Sequence, residues 1–555
     1  MNLRQLKPAS LIAVGLFIYN YLSACFLGWL ANFTPAAYNI KTGNLQQFLS
    51  YWQSNGLSYL AVGLGYLLTF LILVGLITTL VLGYHDDWSA KNFWTALCKP
   101  KLYGFTLGLL VLMWPLNQLG FKFPLTNYLT IPETFITMLK SPQIWWAFWP
   151  LYILVLLLAL RVRTVFYTVI VERPKKGHSL LKKSWHTTKG TTFKVCQNLI
   201  TIVLQLVLVV ALLVGGQWVL DQLKQPLLSV ITTNICLALL AGCFYYTTAR
   251  LLALFVLTSH DGTLIQETMG HQRPWLTGLS LTIVGLVAVG LSGKLLTPVD
   301  QQPLIIAHMG VTSPQDIPNS GLTLKKAHAA KPDYVEIDIQ RTKDGQYVLS
   351  HDTTIKSIKG KDYPIKDYRW DQLKDIDYRV KGQTIHLTNF KDYLDQANAL
   401  KQKVLVELKI NDTIKTDHLR DFTHQYGPAL TQNHAQIQSM NQNALARLAK
   451  YSKSQLGLLS PVNNTITASR LNEFYSIEYS SLVPQTVRQA GRVHKEVYAW
   501  TVNHPADVQT MYAYGVQGFI TDHPKQTRKL VSKAKNNPHY AQVVWKSVVF
   551  QRSNF

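Results

Sequence analysis

Apolar runs long enough to cross a bilayer recur through the first 300 residues and then stop. This repetition leaves a chain few ways to fold, because about 20 residues at 1.5 Å each span a hydrocarbon core, and buried helices of soluble domains seldom need that length. About seven runs meet the criterion, near residues 9–33, 58–83, 102–119, 145–171, 195–220, 227–259 and 275–296. The fourth contains Arg161 and Arg163 and the sixth Arg250, which blurs where those two spans end. Composition agrees, since 48% hydrophobic and 15% charged residues are too apolar a mix for an ordinary soluble protein. An all-α polytopic membrane domain is expected over 1–300.

Charge placement predicts an orientation. Lys and Arg are retained on the cytoplasmic side of short loops. Arg4 and Lys7 precede the first run, Lys91, Lys99 and Lys101 follow the second, and Arg163, Arg173, Lys175, Lys176, Lys182, Lys183, Lys189 and Lys194 crowd the loop after the fourth. The alternate loops hold mainly Lys41, Lys122, Lys140 and Lys224. With the N-terminus inside, an odd number of spans delivers everything after residue 296 to the outer face. The first run lacks a small-residue cleavage site close behind it and reads as a retained signal anchor. The basic segment "ERPKKGHSLLKKSWHTTKG" reads as interfacial against anionic headgroups, and Asn117, Asn198 and Asn234 as interhelical hydrogen-bonding residues. The five cysteines all lie before residue 244 and frame neither a disulfide scaffold nor a zinc site. The net charge of +24 goes with lipid and phosphate partners, because no nucleic-acid module or nucleotide loop accompanies it.

From residue 303 the pattern changes to short β-rich runs separated by longer polar or amphipathic segments. Candidate strands occupy 304–308, 333–338, 346–351, 403–409, 435–440, 455–460, 475–480, 496–502 and 518–522. The third follows the second across a "TKDG" turn, too short for a helical crossover, and is expected as an antiparallel return strand. The remainder predict an α/β (β/α)8 TIM barrel over 301–530, followed by a basic and apolar tail over 531–555. In such barrels chemistry collects at the C-terminal strand ends. His308, Glu336, Asp338, Glu407 and Lys409 fall there, and His351 closes the rim hairpin. "NNT" at 463–465 is expected to be a polar loop.

Glu336 and Asp338 are one residue apart, so on a strand they share a face. Two such carboxylates repel unless a cation joins them, and Glu407 offers a third oxygen for a hard ion, Ca2+ or Mg2+. Paired with basic neighbours, an isolated E-x-D would be structural; two nearby imidazoles change that balance. His308 and His351 can exchange protons near neutral pH, and Lys409 adds positive charge for an anionic group.

From residue 304 to about 524 the chain resembles the glycerophosphodiester phosphodiesterase family, and its first half looks like the multi-span domain of some bacterial members. The resemblance is carried by "HMG" at 308, "IPNS" at 317, "EID" at 336, "TKDG" at 342, "HD" at 351, "ELK" at 407, "WTVN" at 500 and "ITDHP" at 520. It implies that His308 and His351 act as general acid and base, that Glu336, Asp338 and Glu407 hold a divalent cation, that Lys409 meets the phosphate, that Asn319 takes the place of the family's P-E-N-T asparagine at the substrate, and that Trp500 walls the pocket. Two positions depart from the pattern: Met309 stands where the family's H-R-G has arginine, and Pro318 where P-E-N-T has glutamate. Arg341, Lys343 and Lys356 are the nearby cations, expected as surface charges. The expected activity is metal-dependent hydrolysis of glycerophosphodiesters, of lipid headgroup or polyglycerol-phosphate type, to glycerol phosphate and an alcohol, outside the cell membrane. The alternatives are a lyase yielding a cyclic phosphate, and an attenuated barrel that binds such polymers or supports a membrane assembly.

Overall fold

The computed structural model describes residues 8–32, 45–119, 121–125, 142–173, 179–258, 274–291, 295–296, 302–410, 416–461, 466, 471–536 and 540–549. Arg4, Lys7, Lys41, Lys140, Lys175, Lys176, the 463–465 segment and the Asn117 side chain lie outside them. The chain divides into two compact units. One comprises Met1–Gly215, Ile235–Ser292 and Val544–Phe555, and the other Gly216–Asn234 and Gly293–Val543.

The first unit is helical. Among the described residues, four helices are long and apolar enough to cross a membrane: Ala9–Leu27, Leu60–Tyr84, Thr192–Asp221 and Pro226–Val256. Two bent pairs raise the number to six, Ala90–Leu97 with Pro100–Leu116 at 72° and Trp146–Leu160 with Val165–Glu172 at 42°. The sequence predicted runs at 102–119 and 145–171, so the first bend lies ahead of a predicted run and the second lies within one. At the second, Arg163 turns back to donate to the Leu160 carbonyl at the end of the helix at 2.6 Å, while Arg161 donates to the Trp185 carbonyl of helix Leu180–Thr187 at 2.6 Å. The seventh run forms helix Pro274–Leu291, of which Thr282–Leu291 is the apolar stretch. Leu151, Leu204 and Leu212 are each more than 60% exposed, the pattern of helices that face hydrocarbon. Arg250 in the sixth run donates to Gln205 Oε1 at 2.7 Å.

The second unit is a closed parallel barrel. Its strands are β1 (Leu304–Ala307), β2 (Tyr334–Arg341), β3 (Tyr347–Leu349), β4 (Thr354–Lys356), β5 (Asp362–Pro364), β6 (Tyr378–Val380), β7 (Gln383–Ile385), β8 (Thr388–Asn389), β9 (Val404–Leu408), β10 (Gln436–Ser439), β11 (Gln455–Ser460), β12 (Phe474–Glu478), β13 (Glu496–Trp500) and β14 (Gly518–Thr521). Eight of them, β1, β2 and β9 to β14, pair in parallel and close through β1–β2 and β1–β14. β3 returns antiparallel on β2 and carries β8, as the "TKDG" turn predicts for its first part. β4–β5 and β6–β7 form separate small hairpins.

Alternation along each strand sorts side chains into two cores. Outward residues of β2, Val335, Ile337 and Ile339, join Val404 and Val406 of β9 against apolar helix faces such as Leu419, Phe422, Tyr426 and Leu430. Inward residues Ile306, Tyr334, Leu405, Phe474, Tyr498 and Ile520 fill the barrel interior. One or two steps further along, the same inward face carries Glu336, Asp338 and Glu407, so an apolar floor lies beneath a polar end.

Candidate active site

Register brings the acids together. Asp338 of β2 pairs with Glu407 of β9, and Glu336 sits one inward step below Asp338. Glu336, Asp338 and Glu407 are 2%, 1% and 6% exposed, and each offers an oxygen within 4.8 Å of the other two. Lys409, just past β9, places its Nζ 2.7 Å from Glu407 Oε1 and 3.0 Å from Asp338 Oδ1. In this arrangement the ammonium lies against two of the three carboxylates.

Three buried carboxylates against one ammonium leave an excess of two negative charges when all are ionised. The carboxyls respond accordingly. Burial, with Asp338 and Glu407 nearby, pushes Glu336 well above its usual range. Burial and Asp338 push Glu407 up to about 8. For Asp338 burial is outweighed by Lys409 and by the Asn319 hydrogen bond, which hold it below its usual range. Burial of Lys409 is likewise outweighed by Glu407 and Asp338, which hold its ammonium above its usual range. A divalent cation would balance this charge, and three carboxylate oxygens within 4.8 Å of one another are close enough to share one oxygen-liganded ion.

The turn after β1 supplies the next groups. Met309 adopts a left-handed φ of 49° and donates its N–H to Glu336 Oε2 at 2.8 Å. Its carbonyl accepts from Asn319 N at 2.9 Å. Asn319 then grips Asp338 at both ends: its Nδ2 donates to Asp338 Oδ2 at 2.8 Å, and its Oδ1 accepts the Asp338 N–H at 2.9 Å. Asn319 therefore serves as a clamp on an acid, a contact its position in "IPNS" does not disclose.

His308 Nδ1 lies 2.8 Å from Asp522 Oδ1. Burial of Asp522 is outweighed by His308 and Asn503, which lower its pKa. An ionised Asp522 makes Nδ1 the protonated nitrogen and leaves His308 Nε2 as the acceptor. Asn503 holds Asp522 in turn, donating to its Oδ2 at 2.5 Å and accepting its N–H at 2.8 Å. Asp522 and Asn503 escaped the reading of the sequence, although both stand in "ITDHP" and "WTVN"; their place at the ends of the last two barrel strands was the available signal.

His351 follows β3, with its side chain 54% exposed and Nδ1 3.0 Å from Asp352 Oδ1. The preceding Ser350 donates its N–H to the Asp338 carbonyl at 3.0 Å, which places the His351 loop at the acidic end of the barrel. Gln340, also unforeseen, fastens that loop by donating to the carbonyls of Ser350, His351 and Asp352, the last at 2.6 Å. Trp500 ends β13 and packs half-buried on the interior apolar cluster. Arg341 lies over Gly345 in the hairpin turn, so it does not take the place of the missing arginine.

A model of the glycerophosphoryl diester phosphodiesterase family matches residues 312–526, and a model of the membrane domain of glycerophosphoryl diester phosphodiesterase matches residues 20–274. A glycerophosphodiester phosphodiesterase of Caldanaerobacter subterraneus subsp. tengcongensis is 27% identical over 256 residues, 41% of this chain and 98% of that protein. One from Bacillus subtilis is 24% identical over 311 residues, 51% of this chain and 97% of that protein. A solved glycerophosphodiester phosphodiesterase from Parabacteroides distasonis aligns at a TM-score of 0.36 and 24% identity over 41% of this chain and 97% of that one.

Proposed function

We infer that this chain, which belongs to the glycerophosphoryl diester phosphodiesterase family and carries that family's membrane domain, hydrolyses glycerophosphodiesters to glycerol phosphate and an alcohol. The observation that carries this reading is the buried trio Glu336, Asp338 and Glu407 gathered beside an imidazole whose tautomer is set. Glu336, Asp338 and Glu407 are the residues that would hold a divalent cation, Ca2+ or Mg2+, which when bound polarises the phosphoryl group and screens its charge.

The remaining roles belong to the chain's own groups. Asn319 and the Met309 N–H orient Asp338 and Glu336. Lys409 leaves its carboxylate partners for the anionic phosphate. One of His308 and His351 takes a proton from the attacking hydroxyl or water at its Nε2, and the other returns a proton to the departing alkoxide. Trp500 closes the apolar wall. Attack by water gives hydrolysis, whereas attack by the substrate's own glycerol hydroxyl gives a cyclic phosphate first.

The barrel is assigned to the outside of the cell membrane on the strength of the lysine and arginine distribution. Purified full-length protein offered glycerophosphocholine or a glycerophosphate oligomer is expected to release glycerol phosphate, and EDTA to stop it. No release from any glycerophosphodiester by cation-loaded protein would instead support the attenuated, polymer-binding reading that Met309 and Pro318 raise.

A further inference from the structure

We propose that the base of the barrel, the end opposite the acidic site, rests on a bilayer surface rich in anionic phospholipid. Parallel strands collect all their N-terminal ends at one rim. The loops feeding that rim carry Lys331, Lys401, Lys403, Lys450, Lys453 and Lys495, all exposed except the half-buried Lys495. No ion pair holds any of them among the described residues. The acids at the same rim are engaged within the fold. Asp333 Oδ2 accepts the Ile305 N–H at 2.7 Å and Arg528 at 3.2 Å, Glu473 Oε2 accepts the Leu456 N–H at 2.7 Å, and Glu496 Oε2 accepts the Tyr498 hydroxyl at 2.6 Å. The rim therefore presents unpaired positive charge around an open depression of about 500 Å³, whose walls include Leu304, Lys331, Lys401 and Lys403.

A second observation, independent of charge, says what faces this rim. Segment Gly216–Asn234 belongs to the same compact unit as the barrel, and it contains the turn between two helices long and apolar enough to cross a membrane, Thr192–Asp221 and Pro226–Val256. Val230 of that segment packs with Leu296, Ala513, Tyr540 and Val543. Asn234 binds the Leu296 backbone in both directions, at 3.0 and 2.8 Å, and Asp221 Oδ2 accepts the Ala541 N–H at 2.9 Å. Ala513 lies at the end of helix Pro505–Tyr514, and barrel helices end at the base because they run opposite to the strands. Leu296 is joined to Leu304, the first residue of β1, by a segment that reaches no further than about 30 Å. A turn between two membrane spans is thus fastened to the lysine-bearing end, where headgroup phosphates complement it.

The test uses the full chain in nanodiscs of phosphatidylcholine alone or of phosphatidylcholine with phosphatidylglycerol, followed by hydrogen–deuterium exchange. Exchange at 330–333, 400–403 and 449–454 is expected to slow several-fold in the anionic discs only, and high salt to reverse it. The variant Lys331→Gln/Lys401→Gln/Lys403→Gln is expected to lose the difference at 330–333 and 400–403, and Lys450→Gln/Lys453→Gln to lose it at 449–454, both with turnover of a soluble diester unchanged. Equal exchange in the two discs, slowing at the acidic end instead, or a difference that survives both variants would overturn the proposal.

Discussion

At Asp522 a carboxylate can be neutralised without changing its shape, which separates orientation of His308 from packing around it. Asp522→Asn keeps a hydrogen-bonding group 2.8 Å from Nδ1 but no longer favours the tautomer with Nε2 free. We expect kcat to fall about 10²-fold, toward the lower end of what a positioned acid or base contributes, with KM nearly unchanged and the pH–rate profile displaced; steady-state kinetics across pH would show it, and an unaltered profile would remove Asp522 from the site. Met309 allows a change in the opposite direction. A guanidinium at that turn adds charge-assisted hydrogen bonds of about 1.5–3 kcal/mol each to a phosphate. Met309→Arg is therefore expected to raise kcat/KM by about tenfold or more, and an unchanged value would mean that another group already meets the phosphate.

Strand pairing explains two glycines of the barrel lining. Gly457 lies opposite Phe474 and Gly518 opposite Tyr498, and the two rings stack with centroids 4.8 Å apart. A Cβ on Gly518 would fall 2.5 Å from the Tyr498 ring, and one on Gly457 2.0 Å from the Phe474 ring. Gly518→Ala is expected to destabilise the barrel by about 1–3 kcal/mol through overpacking, measurable as a lower melting temperature of the full chain; a melt unchanged from wild type would contradict the packing described here. These close approaches were not legible in the sequence, because they depend on which residues face each other across strands. The strands themselves were legible, since β-branched runs such as "KVLVELK" are buried on both faces of a parallel sheet. The hairpins β4–β5 and β6–β7 were missed, being made of three-residue strands with exposed positions that only pairing defines. At the break after Leu160 the sequence showed Arg161 and Arg163 blurring the end of the span, but hydropathy summed over 145–171 does not register that Arg163 folds back onto the Leu160 carbonyl.

Across the whole molecule, the acidic cluster couples stability to pH and to cations. Glu336 and Glu407 have folded pKa values above the usual 4.5, Glu407 at about 8. A carboxyl raised in this way contributes stability that is complete below 4.5 and is lost as pH rises through the folded value. Cation-free protein is therefore expected to melt at progressively lower temperature from pH 4.5 to 8, and a divalent cation, which needs the ionised oxygens, to restore stability most at the upper end; calorimetry in nanodiscs with and without Ca2+ would reveal a flat profile if the cluster were inert. Orientation is tested by Lys374→Cys on the exposed barrel surface, in a chain freed of its native thiols: an impermeant maleimide should label it on intact cells, and protection would contradict an outward barrel. The proposed seat of the barrel base on the bilayer predicts that soluble diesters are cleaved faster than phospholipid in vesicles. The central claim, that Glu336, Asp338 and Glu407 hold the cation on which phosphodiester cleavage depends, is tested most directly by titrating Mn2+ into metal-stripped full-length protein while following bound ion by electron paramagnetic resonance and glycerol phosphate release in the same samples. Occupancy and rate should rise together in the wild type and both be lost in Glu336→Gln, whereas full turnover by the metal-stripped protein would contradict the account.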